Sequence, residues 1–508
     1  MLSFVISLLA LVVGYAIYGR VVERIFGPDD RETPAVTLTD GIDYVPMPTW
    51  RVFMIQFLNI AGTGPIFGAI MGIWFGPAAY LWIVLGSIFA GAVHDYLSGM
   101  LSMRLQGEGQ PFLVGHYLGK PTQRVLLVFA VLMLIMVGEV FVYSPALILG
   151  SLTGNTLLWV VLIFIYYVVA TVLPIDKVIG KVYPLFAMAL LFMAFTLMVV
   201  LLVKWPSLPE VWHMGAGMDT WRTAQTIDGR DALGVVAFLK KNPVFPCLFI
   251  TVACGAISGF HATQSPLMAR CMKSERLGRK VFYGAMITEG AVALIWAAVA
   301  SYFFYGEGWR DFLPQDEVDA FVAQLSGADG KTLIQYFAPP YVVKIVCTGW
   351  LGLLGGVLAL LGVVAAPISS GDTAFRSARL IVADRLKMKQ IKLLHRLAIS
   401  LPIFVAGLLL LLWQINNPDG FNVLWQYFGW SNQTLSIFTL WAITVALAKA
   451  HKNYVVTLIP ALLMTAVCAV FLLVSPQALA LSTGVIPWAS LAVVAIALAW
   501  FFVWRRRQ

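Results

Sequence analysis

Residues 251–271 read TVACGAISGFHATQSPLMARC. The stretch opens as an apolar span, loses regularity at Gly255, Ser258 and Gly259, and then places His261, Thr263, Gln264 and Ser265 ahead of Pro266. Inside a bilayer, irregular backbone and polar side chains are tolerated only where protein or a water-filled cavity satisfies the freed groups. A discontinuous membrane helix at a binding site is therefore expected. An earlier stretch, NIAGTGP at 59–65, interrupts an apolar run with Gly62, Thr63 and Gly64 before a proline. Two interrupted spans at corresponding places in two halves point to a carrier site between inverted repeats.

The surrounding chain fits that reading. Of 508 residues, 60% are hydrophobic and 12% charged, so a polytopic all-α membrane protein is expected. The net charge of +9 sits in short basic clusters between apolar runs, which reads as a topology signal and argues against nucleic acid as a partner. Cys247, Cys254, Cys271, Cys347 and Cys468 form no CxxC pair and are expected to be buried small hydrophobes. Residues 1–19 carry no basic residue ahead of the apolar run and no small-residue cleavage site, so a retained first span is expected.

Apolar runs of about 17 to 25 residues fall near 1–19, 52–75, 78–100, 123–150, 157–173, 182–203, 244–268, 281–305, 340–368, 397–414, 421–447, 454–474 and 484–504, about thirteen spans. Alternating them gathers Arg20, Arg24, Arg31, Arg51, Arg104, Lys120, Arg124, Lys177, Lys181, Arg270, Lys273, Arg276, Arg279 and Lys280 on one side. Arg376, Arg379, Arg385, Lys387, Lys389, Lys392, Arg396, Lys449, Lys452 and Arg505 to Arg507 join them. The other side holds Lys204, Arg222, Arg230, Lys240, Lys241, Arg310, Lys331 and Lys344, and an acidic loop with Glu307, Asp311, Asp316, Glu317, Asp319 and Asp329. The positive-inside rule then places the N-terminus outside and the C-terminus inside.

Each interrupted span opens a run of five, the first starting inside and the second outside, the parity of an inverted repeat. The expected division is a first helix and inside loop (1–50), repeat 1 (51–203), an outside loop (204–243), repeat 2 (244–447) and two final helices (448–508). The segment 369–396 is expected to continue as a basic amphipathic helix along the membrane surface.

ISGFHATQSPLMARC, IAGTGP, WIVLGSIFAGAVHDY at 82–96, PISSGDTAFRSARLIVAD at 367–384 and WQYFGWSNQTL at 425–435 together resemble the carbon starvation protein A family over residues 50 to 450. The resemblance implies a bacterial inner-membrane transporter for peptides or pyruvate under carbon starvation. It also implies a link to the amino acid–polyamine–organocation superfamily and a leucine-transporter-like core of five plus five helices.

The turns at Gly62-Thr63-Gly64 and Ser258-Gly259 through Thr263-Gln264-Ser265 offer half-helix N-termini to a substrate carboxylate, against the plainer reading of tolerated kinks. His261 is a candidate substrate donor or proton carrier, against a satisfied structural histidine. Ser369, Ser370, Asp372 and Thr373 suit either hard-cation ligation or an N-cap, and the resemblance places a sodium position at Ser369 and Ser370. Glu139 and Glu289 lie deep in spans with no basic neighbour in sequence, which suggests a proton relay or a protonated interhelical bond.

His94 and Asp95 sit toward an inside end as a gate or proton exit, and adjacent helical positions are not expected to face each other. Asn432, between Ser431 and Gln433, is a candidate substrate contact or an interhelical bond. No cofactor or bound metal is expected; the coupling ion is H⁺ or Na⁺, the partners are a small-molecule substrate and the bilayer, and the oligomeric state is open. Without Walker A, HExxH or GxSxG motifs, ATP-driven pumping and intramembrane catalysis are disfavoured, while a channel or nutrient sensor stays as the alternative.

Overall fold

A backbone in hydrocarbon must satisfy its own hydrogen bonds, so apolar runs such as LSFVISLLALVVGYA at Leu2–Ala16 adopt helices. The computed structural model describes residues 1–173, 179–214, 221, 226–227, 230–306, 308–326, 331–417, 420–476 and 478–507. Lys177, Arg222, Glu307 and Asp329, used above in the topology reading, lie outside the described residues.

The apolar runs form the helices α1 (Leu2–Ala16), α2 (Tyr18–Phe26), α3 (Thr49–Ile60), α4 (Gly64–Gly72), α5 (Ala78–Gly86), α6 (Ala92–Arg104), α7 (Lys120–Thr153), α8 (Thr156–Val172) and α9 (Ile179–Lys204). They continue as α10 (Val244–Thr251), α11 (Gly259–Ala269), α12 (Gly284–Tyr305), α13 (Pro339–Leu386), α14 (Leu393–Ile415), α15 (Gly420–Lys449), α16 (Val455–Val474) and α17 (Ile486–Arg506). A two-residue strand pair, Thr226–Ile227 with Arg230–Asp231, is the sheet structure among the described residues.

Each of the thirteen expected spans coincides with a helix or helix pair. Among the described residues eight helices are long and apolar enough to cross a bilayer, and the pair Thr49–Ile60 with Gly64–Phe75, bent by 46°, makes a ninth. The remaining expected spans fall on α8, on α13, on α15 and on α10 with α11, which residues 252–258 separate. Large apolar side chains such as Leu9, Val161, Phe195, Leu409, Ile459 and Trp488 are exposed on the outer faces of these helices, as a bilayer solvent requires. All five cysteines are buried and free.

Two sets of helices emerge from the packing. The broken pairs α3–α4 and α10–α11 pack with α6 and α12, while α7, α8, α13 and α14 form a second body. Loops assigned to one side by alternation meet on one face: Asp43 accepts from Arg379 at 3.1 Å, Arg104 pairs with Glu275 at 2.6 Å, and Arg270 pairs with Asp384 at 3.3 Å. On the opposite face the amino group of Met1 and the N–H groups of Leu2 and Ser3 donate to the Glu210 carboxylate.

The segment after residue 368 is not a surface helix. It continues α13, and Ser369, Ser370, Asp372, Thr373, Arg376 and Arg379 are fully buried. The arginines that gave the segment its amphipathic look are held inside: Arg376 donates to the Ala170 and Leu173 carbonyls at the end of α8, and Arg379 reaches Asp43 and Gln390. α13 changes direction at Gly352, whose φ of +64° suits a residue without a Cβ.

Candidate functional site

The first break lies between α3 and α4. Gly62 is required there by closeness: a Cβ would stand 2.9 Å from the Phe141 ring and 3.2 Å from Ser370 Oγ. Ser370 Oγ lies 2.9 Å from the Asn59 carbonyl and 3.3 Å from that of Leu58, while Ser369 Oγ bonds the Ala366 carbonyl at 2.7 Å with the Leu58 oxygen at 3.4 Å. Thr373 Oγ1 donates back to the carbonyls of Ser369 and Ser370. Two hydroxyls thus meet the carbonyls at the end of α3, a set of oxygens of the type a hard cation prefers. The side chains of Gln56, Asn59 and Thr63 are buried beside this break with no hydrogen-bond partner among the described residues. Gln56 and Asn59 escaped the sequence reading, although polar residues inside the apolar run 52–75 are the signal that finds them.

The second break packs directly on the first. A Cβ on Gly64 would collide with Cys254, and one on Gly68 would stand 2.9 Å from the Thr251 carbonyl. Ser258 has extended backbone ahead of α11 (φ −143°, ψ 126°), and the cap comes from α15. Asn432 Oδ1 accepts from the Phe260 N–H at 2.7 Å and from Ser258 Oγ at 3.0 Å. In this state the free donor of that half-helix belongs to Asn432. Beyond it, Thr263 Oγ1 donates to the Phe260 carbonyl, Ser265 Oγ to that of His261, and Gln264 Nε2 to Thr263 Oγ1 at 2.8 Å. Phe141 stands between the breaks, its ring 6.2 Å from Phe260 and 6.0 Å from Phe428.

Four of the candidate residues form one buried chain. Asp95 Oδ1 lies 2.8 Å from His94 Nδ1 and Asp95 Oδ2 lies 2.8 Å from His261 Nδ1, while His261 Nε2 stands 3.5 Å from Glu289 Oε2. All four side chains are fully buried. The expectation that His94 and Asp95 do not meet is corrected here. Neighbouring helical positions diverge, yet an imidazole Nδ1 and a short carboxylate both stay close to the backbone and can bond locally. The π-helical turn Ser87–Gly91 immediately precedes them. Among the described residues no lysine or arginine pairs with any of the four.

Asp372 and Glu139 lie in separate places. Asp372 accepts from Tyr183 Oη at 2.5 Å and from Thr171 Oγ1 at 3.3 Å. Glu139 faces α14, where the Gln414 amide, oriented with its nitrogen inward, donates to Glu139 Oε2 at 2.7 Å. Gln414 and Tyr183 were not singled out in the sequence, since neither differs from an ordinary interfacial residue when read alone.

Two interrupted spans packed on each other within a ten-helix core define the leucine-transporter-like class of membrane carriers. The fold matches solved members of that class: MhsT in complex with L-phenylalanine at a TM-score of 0.54 (14% identity, covering 84% of this chain and 98% of that one) and a mutant of the Eremococcus coleocola manganese transporter at 0.52 (13% identity, 93% and 99%). The chain belongs to the carbon starvation protein CstA family, whose model matches residues 1–149, 142–307 and 343–471. Relatives include an uncharacterized membrane protein of Haemophilus influenzae (42% identical, 60% of this chain and 91% of that one) and the peptide transporter CstA of Campylobacter jejuni (26%, 88% and 76%). The pyruvate/proton symporter BtsT of Escherichia coli is 28% identical over 53% of this chain, a match that spans 44% of its own length. The protein is a multi-pass membrane transporter.

Proposed function

We propose that this transporter imports a small carboxylate-bearing nutrient, pyruvate or a short peptide, across the bacterial inner membrane when carbon is scarce, driven by a proton gradient. The carrying observation is the junction of the two breaks. There Gln56, Asn59 and Thr63 leave polar atoms without partners among the described residues in a fully buried setting, groups that cost free energy unless a ligand or water uses them. Removing the Asn432 oxygen from the Phe260 N–H would present a half-helix N-terminus to a carboxylate. The Campylobacter and Escherichia relatives, one named a peptide transporter and one a pyruvate/proton symporter, support the substrate class. The concentration of basic residues on the face holding Arg104, Arg270 and Arg379 supports a C-terminus on the inside.

The test is uptake of labelled pyruvate and of a labelled dipeptide into proteoliposomes with proton and sodium gradients imposed separately. Accumulation of one substrate under the proton gradient is the expected result; no movement of either by folded protein would remove the substrate reading. A second reading, sodium coupling, is favoured by the oxygens of Ser369 and Ser370 against the Leu58 and Asn59 carbonyls. Ser370→Ala should abolish a sodium response if a cation sits there and leave proton-driven uptake within about twofold if the serine only bonds the backbone.

A further inference from the structure

The chain of side chains His94, Asp95, His261 and Glu289 joins three helices of one body: α6 supplies the first two, α11 the third and α12 the last. Its hydrogen-bonding inventory constrains its protons. An ionised Asp95 is an acceptor at both oxygens, so each imidazole that lies 2.8 Å from it presents a protonated Nδ1. A neutral His261 then has an Nε2 that can only accept, and that atom points at Glu289 Oε2, 3.5 Å away. Two acceptors facing each other in a buried site repel unless a proton lies between them, on the carboxyl or on the imidazole.

Among the described residues neither atom has another partner. His261 Nε2 and both oxygens of Glu289 are buried without hydrogen bonds, and so is His94 Nε2 at the other end. Among the described residues a further titratable group faces the chain, the thiol of Cys254 in the second break. With two carboxyls and, among the described residues, no lysine or arginine paired to them, the chain approaches neutrality in a low-dielectric interior only by holding protons.

We infer that the transporter's driving proton binds between His261 Nε2 and Glu289, with Asp95 orienting His261 through Nδ1. This rests on the transport reading above. His261 lies three residues beyond Ser258, and its own N–H bonds the Ser258 carbonyl at 3.3 Å. The proton site is thus one turn from the half-helix N-terminus that Asn432 caps. Protonation pins α11 to α12; loss of the proton leaves two acceptors opposed and frees α11 to shift. Asp95 is a positioning residue in this scheme, since it touches His261 and not the transferred proton.

The experiment separates proton coupling from transport. In proteoliposomes a pH difference of about one unit sustains about tenfold accumulation of labelled pyruvate per coupled proton. Exchange of labelled for unlabelled pyruvate at equal pH on both sides needs binding and alternating access but no net proton movement. Glu289→Gln, which imitates the protonated carboxyl, is expected to keep exchange within about twofold while its accumulation ratio falls to about one. Accumulation at the wild-type level by Glu289→Gln would overturn the inference. Absence of both exchange and accumulation in the wild type would instead remove the pyruvate reading. Should Glu289→Gln fail to reach the membrane folded, Glu289→Met, of similar length and without a titratable group, carries the same pair of measurements: lost accumulation with retained exchange supports the site, and retained accumulation refutes it. Asp95→Asn should move the pH midpoint of uptake, a readout that a merely structural role would leave in place.

Discussion

At the scale of residues, one side-chain oxygen sets the state of the second break. Asn432 Oδ1 accepts from both the Phe260 N–H and Ser258 Oγ, so it satisfies a backbone donor that would otherwise be buried alone. Asn432→Ala should lower stability by about 1–3 kcal/mol, the penalty for an orphaned buried donor. Asn432→Asp keeps the acceptor and should recover most of the loss; thermal unfolding in detergent checks both. If the two variants unfold alike, Asn432 is not a cap. Ionisable residues inside apolar runs announce themselves, which is why His261, Glu289 and Asp95 could each be singled out from sequence. Their convergence could not be read, because spacings of 166 residues between Asp95 and His261 carry no contact information without the helix arrangement. His94 shows the limit of a periodicity argument: it forbids facing side chains at adjacent positions but not a local Nδ1 bond.

At the scale of elements, close packing explains the glycines of the second break better than flexibility does. A Cβ on Gly259 would strike the Asn432 carbonyl and the Ser436 N–H, so α11 rests directly on the backbone of α15. Gly429, on α15 three residues before Asn432, would place a Cβ 3.5 Å from Ile250, an ordinary contact. Gly259→Ala should therefore cost about 1–3 kcal/mol by overpacking, while Gly429→Ala should be neutral or gain up to about 1 kcal/mol from helix propensity. Yield and melting temperature of the two purified variants decide between packing and a general need for glycine. The breaks themselves were legible, since Gly, Ser and Pro stand out against an apolar background. The fate of residues 369–396 was not: an arginine-rich helical pattern looks the same whether its face meets lipid headgroups or carbonyls and a carboxylate supplied from elsewhere in the chain. Arg376 and Arg379 find the latter, through α8 and Asp43.

At the scale of the molecule, the basic face is latched between the two bodies. Asp43, in the segment leading into α3, pairs with Arg379 of α13, and Arg270 at the end of α11 pairs with Asp384 of the same helix. The Val45 N–H donates to the Arg270 carbonyl and the Met47 N–H to that of Cys271, so the segment is stitched to the body containing the breaks. Beneath the latch a cavity of about 10 Å³, lined in part by Gln110, Thr263 and Ser377, has room for about one water. Opening to this face requires both pairs to separate. Asp43→Asn should therefore speed labelling of a cysteine introduced by Thr263→Cys, from the basic face, by about tenfold or more, since breaking a buried pair costs several kcal/mol. Burial alone would push the Asp43 carboxyl up, but Arg379, Arg376 and Arg270 hold it below the ordinary carboxylate range. A depressed carboxyl contributes stability that is present above its unfolded pKa of about 3.9 and is lost only as pH falls through the lower folded value. Asp43 therefore stays charged throughout about pH 5–8, and the share of labelling that Asp43→Asn releases through the Asp43–Arg379 pair should be equal across that range. A labelling ratio that changed with pH there would make the latch itself a proton sensor and take that role away from His261 and Glu289.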